Sequence, residues 1–222
     1  MGEFLNLVAG EKIAKNPRLV YWSYCQVSSK PWQPLIEAAT TFGERSDRRS
    51  EPDLIVEDDD VLAFVENKVL SGNRTKPSEP DNPKRYPTGG DYWFGKVFKP
   101  TTTFQKIAVE KKLYELMRLW LLGSWIANRE PRKRFLLANI VRAEAKNETD
   151  IEGRFGTHLQ PHPQRKFVRV TWEQIYSSIV KPRAGSPDAD RLVRYLREKT
   201  MGYRLVSRGR KARLVRAFAI SD

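Results

Sequence analysis

Residues 52–68, PDLIVEDDDVLAFVENK, constrain the fold of this chain more than any other stretch. Two short apolar runs, Leu54-Ile55-Val56 and Val61-Leu62-Ala63-Phe64-Val65, flank the acidic turn Glu57-Asp58-Asp59-Asp60. Such runs around a polar turn read as a β-hairpin. The turn lacks Asn-Gly or Asp-Gly, so its type is left open. If Asp59-Asp60 is a two-residue loop, Asp58 pairs with Val61 and Asp53 falls opposite Glu66; a three-residue loop makes that contact diagonal. In a strand, side chains at i and i+2 share a face, so Glu66 and Lys68 project together while Val65, Asn67 and Val69 face the other way.

Opposed residues on one face lie about 5 Å apart at Cβ, which lets two carboxylates share one small cation. Carboxylates that close repel unless a cation sits between them. Mg²⁺ accepts one or two protein carboxylates and takes its other ligands from water and phosphate oxygens. A neighbouring lysine can orient or help deprotonate an attacking water, or neutralise charge in the transition state. Asp53, Glu66 and Lys68 therefore suit phosphodiester chemistry, with Asp53 and Glu66 as metal ligands. The acidic-x-Lys triplet recurs at Glu110-Lys111-Lys112 and Glu144-Ala145-Lys146, so the triplet alone carries no weight. Its place at the end of an apolar strand, across a hairpin from Pro52-Asp53, sets the first apart. The plainer reading of the same residues is a surface hairpin with a cross-strand ion pair.

Charge points the same way. Lys and Arg number 40 against 27 Asp and Glu, a net charge of +13 and a pI near 9.9. The excess is steepest in residues 181–222. A basic surplus of this size implies polyanionic partners, most often nucleic acid. The single cysteine, Cys25, forms no internal disulfide and points to a reducing compartment. With two histidines, His158 and His162, both in a Pro-rich stretch, a structural zinc site or a His-centred triad is close to excluded. The first ten residues carry no targeting pattern, and the apolar stretch from Leu113 to Ala127 is interrupted by Glu115 and Arg118 and is too short to span a membrane. A cytoplasmic protein without a membrane partner is expected. At 222 residues the chain has room for one domain, residues 1–180, with a basic extension over 181–222.

Elsewhere, residues 4–43 read as mostly helical, with the type of the Leu19–Trp22 run left open and a helix from near Pro31 to Gly43. Residues 71–100, rich in Pro and Gly, read as a long loop of little regular structure. Thr101 to Thr103 offer caps for a long helix through Ile107, Leu113, Leu116, Leu119 and Trp120. Residues 134–142 and 167–170 read as strands, the second leading through Thr171 into a helix, and Asp188 is expected to cap another. The tail is either a hairpin about Gly209 or a helix. In the 71–100 loop, Arg74, Lys84, Arg85 and Tyr86 interleave basic and aromatic side chains, as phosphate and base contacts require. Arg208, Arg210, Lys211 and Arg213 form a second phosphate-tracking patch in the tail.

The pattern Pro52-Asp53 … Glu66-Asn67-Lys68 resembles the PD-(D/E)xK phosphodiesterase superfamily of restriction endonucleases, junction resolvases and repair exonucleases. The motif covers 17 residues, and the order of elements extends the likeness to residues 31–145. The resemblance implies an α/β fold with a restriction-endonuclease-like α-β-β-β-α-β core, a mixed central sheet flanked by helices, preceded here by N-terminal helices. It implies a Mg²⁺-dependent nuclease, with Mn²⁺ able to substitute. Asp53 and Glu66 become metal ligands and Lys68 the catalytic lysine. Glu37, or less favourably Glu44, would be a further acid from the first core helix. Gln105 and Lys106 match a position on the helix after the lysine strand. Residues 44–52 do not supply the strand that this pattern places before the hairpin. Such an enzyme would act on DNA, as a homodimer or with a partner protein supplying specificity. The rival readings are a nucleic-acid-binding protein of the same fold that cuts nothing, and a ribonuclease.

Overall fold

One mixed sheet organises the chain, and its strands run in the order β2-β1-β3-β4-β5-β6. In the computed structural model, residues 7, 17–22, 24–25, 30–69, 71–78, 84–130, 133–145, 148–183, 185–206 and 211–220 are described, with the backbone alone at Tyr24, Cys25, Arg48, 201–206 and 211–214. The strands are β1 (Arg18–Tyr21), β2 (Tyr24–Cys25), β3 (Leu54–Glu57), β4 (Val61–Lys68), β5 (Arg134–Val141) and β6 (Arg165–Thr171). β3 is antiparallel to both β1 and β4, whereas β5 and β6 run parallel to β4. The parallel part is covered on both faces, which is why Val61–Val65 and Phe135–Ala138 read as unbroken apolar runs.

Alternation divides the sheet between two cores. Val20, Ile55, Phe64, Leu137 and Phe167 face one side. There they pack on helices α1 (Gln33–Thr41), α2 (Arg85–Val97), α3 (Tyr114–Asn128) and α4 (Ile151–Gly156). Val56, Ala63, Val65, Ala138 and Val168 face the other side, against α5 (Trp172–Ile175) and the π-helical turn Tyr176–Val180 that follows it. Leu196 of α6 (Pro187–Glu198), with Phe218 and Ile220, joins this second core. Burying side chains of this size contributes roughly 1.5–3 kcal/mol each.

Several expectations need correction. The region read as mostly helical holds two strands, β1 and β2, and the Leu19–Trp22 run is largely β1. Its backbone partner is β3, a contact across more than thirty residues that local periodicity cannot reveal. β1 thus takes the place beside β3 in the sheet, while residues 44–52 form only a short 3₁₀ turn, Ser46–Arg48. The stretch read as a loop contains α2, because Tyr86, Trp93, Phe94 and Val97 all enter the first core. α2 kinks where Gly90, Asp91 and Tyr92 adopt positive φ. Gly90 is required there, since a Cβ would meet the Phe42 ring at 2.8 Å. The long helix expected from Thr101–Thr103 is broken into a π-helical turn, Gln105–Glu110, and α3, with Lys112 at φ +57° between them. Ser186, not Asp188, caps α6: its hydroxyl accepts from the Ala189 amide. The tail is a hairpin of β7 (Thr200–Val206) and β8 (Lys211–Arg216). No helix among the described residues is long and apolar enough to cross a membrane.

Candidate active site

The β3–β4 hairpin has the two-residue loop. The Asp58 amide donates to the Val61 carbonyl at 2.9 Å, and Leu54 pairs with Val65 and Ile55 with Phe64. Continuing that register by one residue sets Asp53 opposite Glu66. Asp53 is fixed there by its carboxylate Oδ2, which accepts from the Asn67 amide at 2.7 Å. Asn67 points to the opposite face, where its Oδ1 accepts from the Trp172 indole at 2.9 Å. Glu66 and Lys68 share the face of Leu62 and Phe64, as the period of two demands.

That face turns polar at the carboxyl end of β4. The Lys68 ammonium donates to Glu66 Oε1 at 2.6 Å and lies 2.5 Å from Glu115 Oε2. Glu115 stands in the first turn of α3, and the loop after β4 puts it there. Thr75 Oγ1 accepts from the Glu115 amide at 2.9 Å, and the Thr75 carbonyl accepts from the Tyr114 amide at 3.2 Å. The loop is anchored in turn by Asn73, which is fully buried. Asn73 Nδ2 donates to Asn139 Oδ1 at 2.7 Å and to Glu148 Oε2 at 2.6 Å, and its amide donates to Glu148 Oε1 at 2.9 Å. Asn139 of β5 sits in register with Glu66 and donates to its backbone carbonyl at 3.4 Å.

Electrostatics follow from this packing. Burial pushes the Glu66 carboxyl up to about 7; Lys68 opposes the rise, while the Glu115 and Asp53 carboxylates add to it. For Lys68, burial works to lower the ammonium's pKa. The attraction of Glu66 and hydrogen bonds to Glu115 and Glu66 outweigh it and hold the lysine above its ordinary value. Three carboxylates thus face one ammonium. If all were ionised, the cluster would carry two negative charges, and Glu66 relieves this by keeping a proton towards neutrality. A small divalent cation would relieve it equally well. Among the described residues, no group of three or more His, Cys, Asp or Glu side chains is gathered as a metal cage. The donors available are the hard oxygens of Asp53 and Glu66, a pair that suits Mg²⁺, which needs few protein ligands.

The other residues singled out from the sequence are scattered. Glu37 is on α1, half-exposed and paired with Arg129 at 2.5 Å. Arg129 closes the far end of α3, about 20 Å along the helix from Glu115, so Glu37 is not brought to the cluster. Glu44 is nearer, since its partner Arg118 lies one turn beyond Glu115. Yet Glu44 is fully engaged: its Oε1 accepts from Ser50 Oγ, Tyr86 OH and Arg118 Nε, and its Oε2 from the Ser50 amide. Gln105 is exposed on the π-helical turn, and Lys106 donates to the Thr101 carbonyl. Tyr86 is fully buried, stacked on Phe104, and cannot stack a base; Arg85 lies over its ring and donates to the Tyr86 and Tyr114 hydroxyls. Arg74 and Lys84 are exposed. Lys211 and Arg213 lie on β8, opposite Val206 and Arg204; Arg208 and Arg210 lie outside the described residues.

Glu115, Asn73, Asn139 and Glu148 were not found from the sequence. Only Tyr114-Glu115, an acidic residue in the first turn of a helix, carried any local signal. Comparisons of this chain with protein-family models, with curated proteins and with solved structures find no match, and the reading of the site rests on its own geometry.

Proposed function

We propose that this chain is a metal-dependent nuclease that hydrolyses DNA phosphodiester bonds at Asp53, Glu66 and Lys68. The observation that carries the reading is the hairpin register, which sets Asp53 opposite Glu66 with Lys68 two residues further on the same face. The order of α1, the β3–β4 hairpin, α3 and the parallel strand β5 supports a restriction-endonuclease-like core. In that reading β1 serves as the first strand of the meander, although it precedes α1.

Asp53 and Glu66 would hold Mg²⁺ or Mn²⁺, which when bound polarises phosphoryl oxygens and lowers the pKa of a water. Asp53 is kept in place by the Asn67 amide, so one ligand is preorganised before any cation arrives. Lys68, held charged by its carboxylate neighbours, serves as a donor to phosphate oxygens and not as a proton acceptor. Glu115 holds the ammonium until substrate takes its place. Arg74 and Lys84, both exposed, supply cationic surface for the phosphate backbone.

The test is a cleavage assay on linear duplex, supercoiled, single-stranded and branched DNA and on RNA. Each is run with Mg²⁺, Mn²⁺ or EDTA, beside Asp53→Ala and Lys68→Ala. Metal-dependent cutting that both substitutions abolish is the expected result. Cutting confined to RNA would make the protein a ribonuclease. Salt-dependent binding with no cutting under any condition would make it a binding protein.

A further inference from the structure

The site residues belong to a row that runs straight across the sheet. Glu66 of β4 is in register with Asn139 of β5, and Asn139 with Arg169 of β6. On the other side Asp53 follows, and the β1–β3 register, continued by one residue, sets Trp22 opposite Asp53. The Trp22 amide donates to the Asp53 carbonyl at 3.3 Å, which fixes that end of the row. Neighbouring strands lie about 4.8 Å apart, so Trp22 is one strand from Asp53 and about 10 Å from Glu66.

Trp22 is a costly residue for this position. It sits in the tight turn between Tyr21 and Tyr24, a pair in the β1–β2 register, with φ at +46°. That conformation is favoured by Gly, Asn or Asp and is an outlier for a bulky side chain. Its ring gains little burial in return, being 67% exposed, with the neighbouring Tyr21 ring tilted beside it at 6.5 Å between centroids. Tyr92 shares exposure and positive φ, but packing explains it: the left-handed run at Gly90, Asp91 and Tyr92 seats Trp93 and Phe94 in the core. Nothing in the core explains Trp22. A strained, exposed aromatic beside a cluster of charged groups is a candidate for ligand contact.

We infer that Trp22 stacks on an unpaired nucleobase of the nucleotide next to the scissile phosphate, so that the substrate is nucleic acid with exposed bases, single-stranded or branched, and not continuous duplex. The inference rests on the nuclease reading of Asp53, Glu66 and Lys68 for what lies beside the base. Stacking tolerates any base because each has a π-face. Trp22 is therefore a positioning residue that selects for structure rather than sequence.

The test measures binding in EDTA, where no cutting occurs, to three fluorescent probes: single-stranded DNA, the same strand made wholly abasic, and duplex DNA. Wild type is compared with Trp22→Ala, Trp22→Phe and Trp22→Gly, the last of which also relieves the turn. Trp22→Ala and Trp22→Gly should weaken single-strand binding about tenfold and Trp22→Phe little, with the abasic strand bound equally by all four. In Mg²⁺ the same variants should raise KM on single strands more than they lower kcat. Equal wild-type affinity for the intact and abasic strands, or unchanged binding by Trp22→Ala, overturns stacking. If wild type then still cuts and Lys68→Ala does not, the nuclease reading survives that loss. If nothing is cut but Trp22-dependent binding persists, the nuclease reading falls and base stacking stands.

Discussion

Two buried lysines bridge carboxylates at opposite ends of the central sheet, and the difference between them separates a structural clamp from a candidate reaction centre. At the end near the β3–β4 turn, Lys133 donates to Glu57 at 3.1 Å and to Glu130 at 2.9 Å. Glu57 also pairs with Arg18, and Glu130 is largely exposed, so two cations meet two carboxylates and water shares the load. At the other end Lys68 bridges Glu66 and Glu115, with Asp53 beside them. Both lysines are held above the ordinary value, burial being outweighed in each by carboxylate partners. Only the second cluster has an unbalanced charge. A balanced cluster has nothing to recruit; an unbalanced buried one takes up a proton or a cation.

The largest expected effect sharpens that contrast. Lys68→Ala should reduce metal-dependent cleavage by roughly 10² to 10³, the range for losing one charge-stabilising donor. Lys133→Ala should leave the cleavage rate within about twofold of wild type, and a comparable loss there would erase the distinction.

The second prediction concerns acidity in metal-free protein. Glu66 titrates near 4.5 when unfolded and about 7 when folded. Between those values the folded state binds the extra proton, so stability falls as pH rises through that window. The full effect, on the order of 3 kcal/mol, is reached above the folded value. Urea unfolding in EDTA at a series of pH values should show this slope, and Glu66→Gln should flatten it. A flat profile in wild type would mean that the Lys68 bridge alone balances the cluster.

A smaller effect is expected from the cation itself. Mg²⁺ at ten times its dissociation constant should stabilise the protein by about 1.4 kcal/mol, a rise of a few degrees in Tm. Asp53→Asn should lose this rise and Lys133→Ala should keep it, as read by differential scanning fluorimetry. The smallest effect is at the clamp. Lys133→Met should cost about 1 kcal/mol of stability, because Glu57 retains Arg18 and Glu130 retains water. A cost of several kcal/mol would show that the clamp is a buried charge network after all.

How much of this was legible depended on the range of the interactions. The hairpin could be read to within one residue, since alternation with a period of two is a local property; the structure decided that the loop holds two residues and so set the register. The apolar stripe of α3 was equally plain, and Leu116, Leu119 and Trp120 are in the core. Residues 71–100 misled because Pro and Gly are turn signals, yet Trp93, Phe94 and Val97 recover enough burial to hold a kinked helix.

By itself the sequence determined the hairpin, the shared face of Glu66 and Lys68, and the cationic surplus, because each depends on backbone period or on composition. Tertiary structure alone decided the rest of the site. Glu115 reaches Lys68 across 47 positions, Asn73 reaches Glu148 across 75, and Trp22 meets Asp53 only because β1 pairs with β3. None of these contacts has a periodic signature. They form when two hydrophobic faces of one sheet are buried together, and burial then forces each stranded polar group to find a partner.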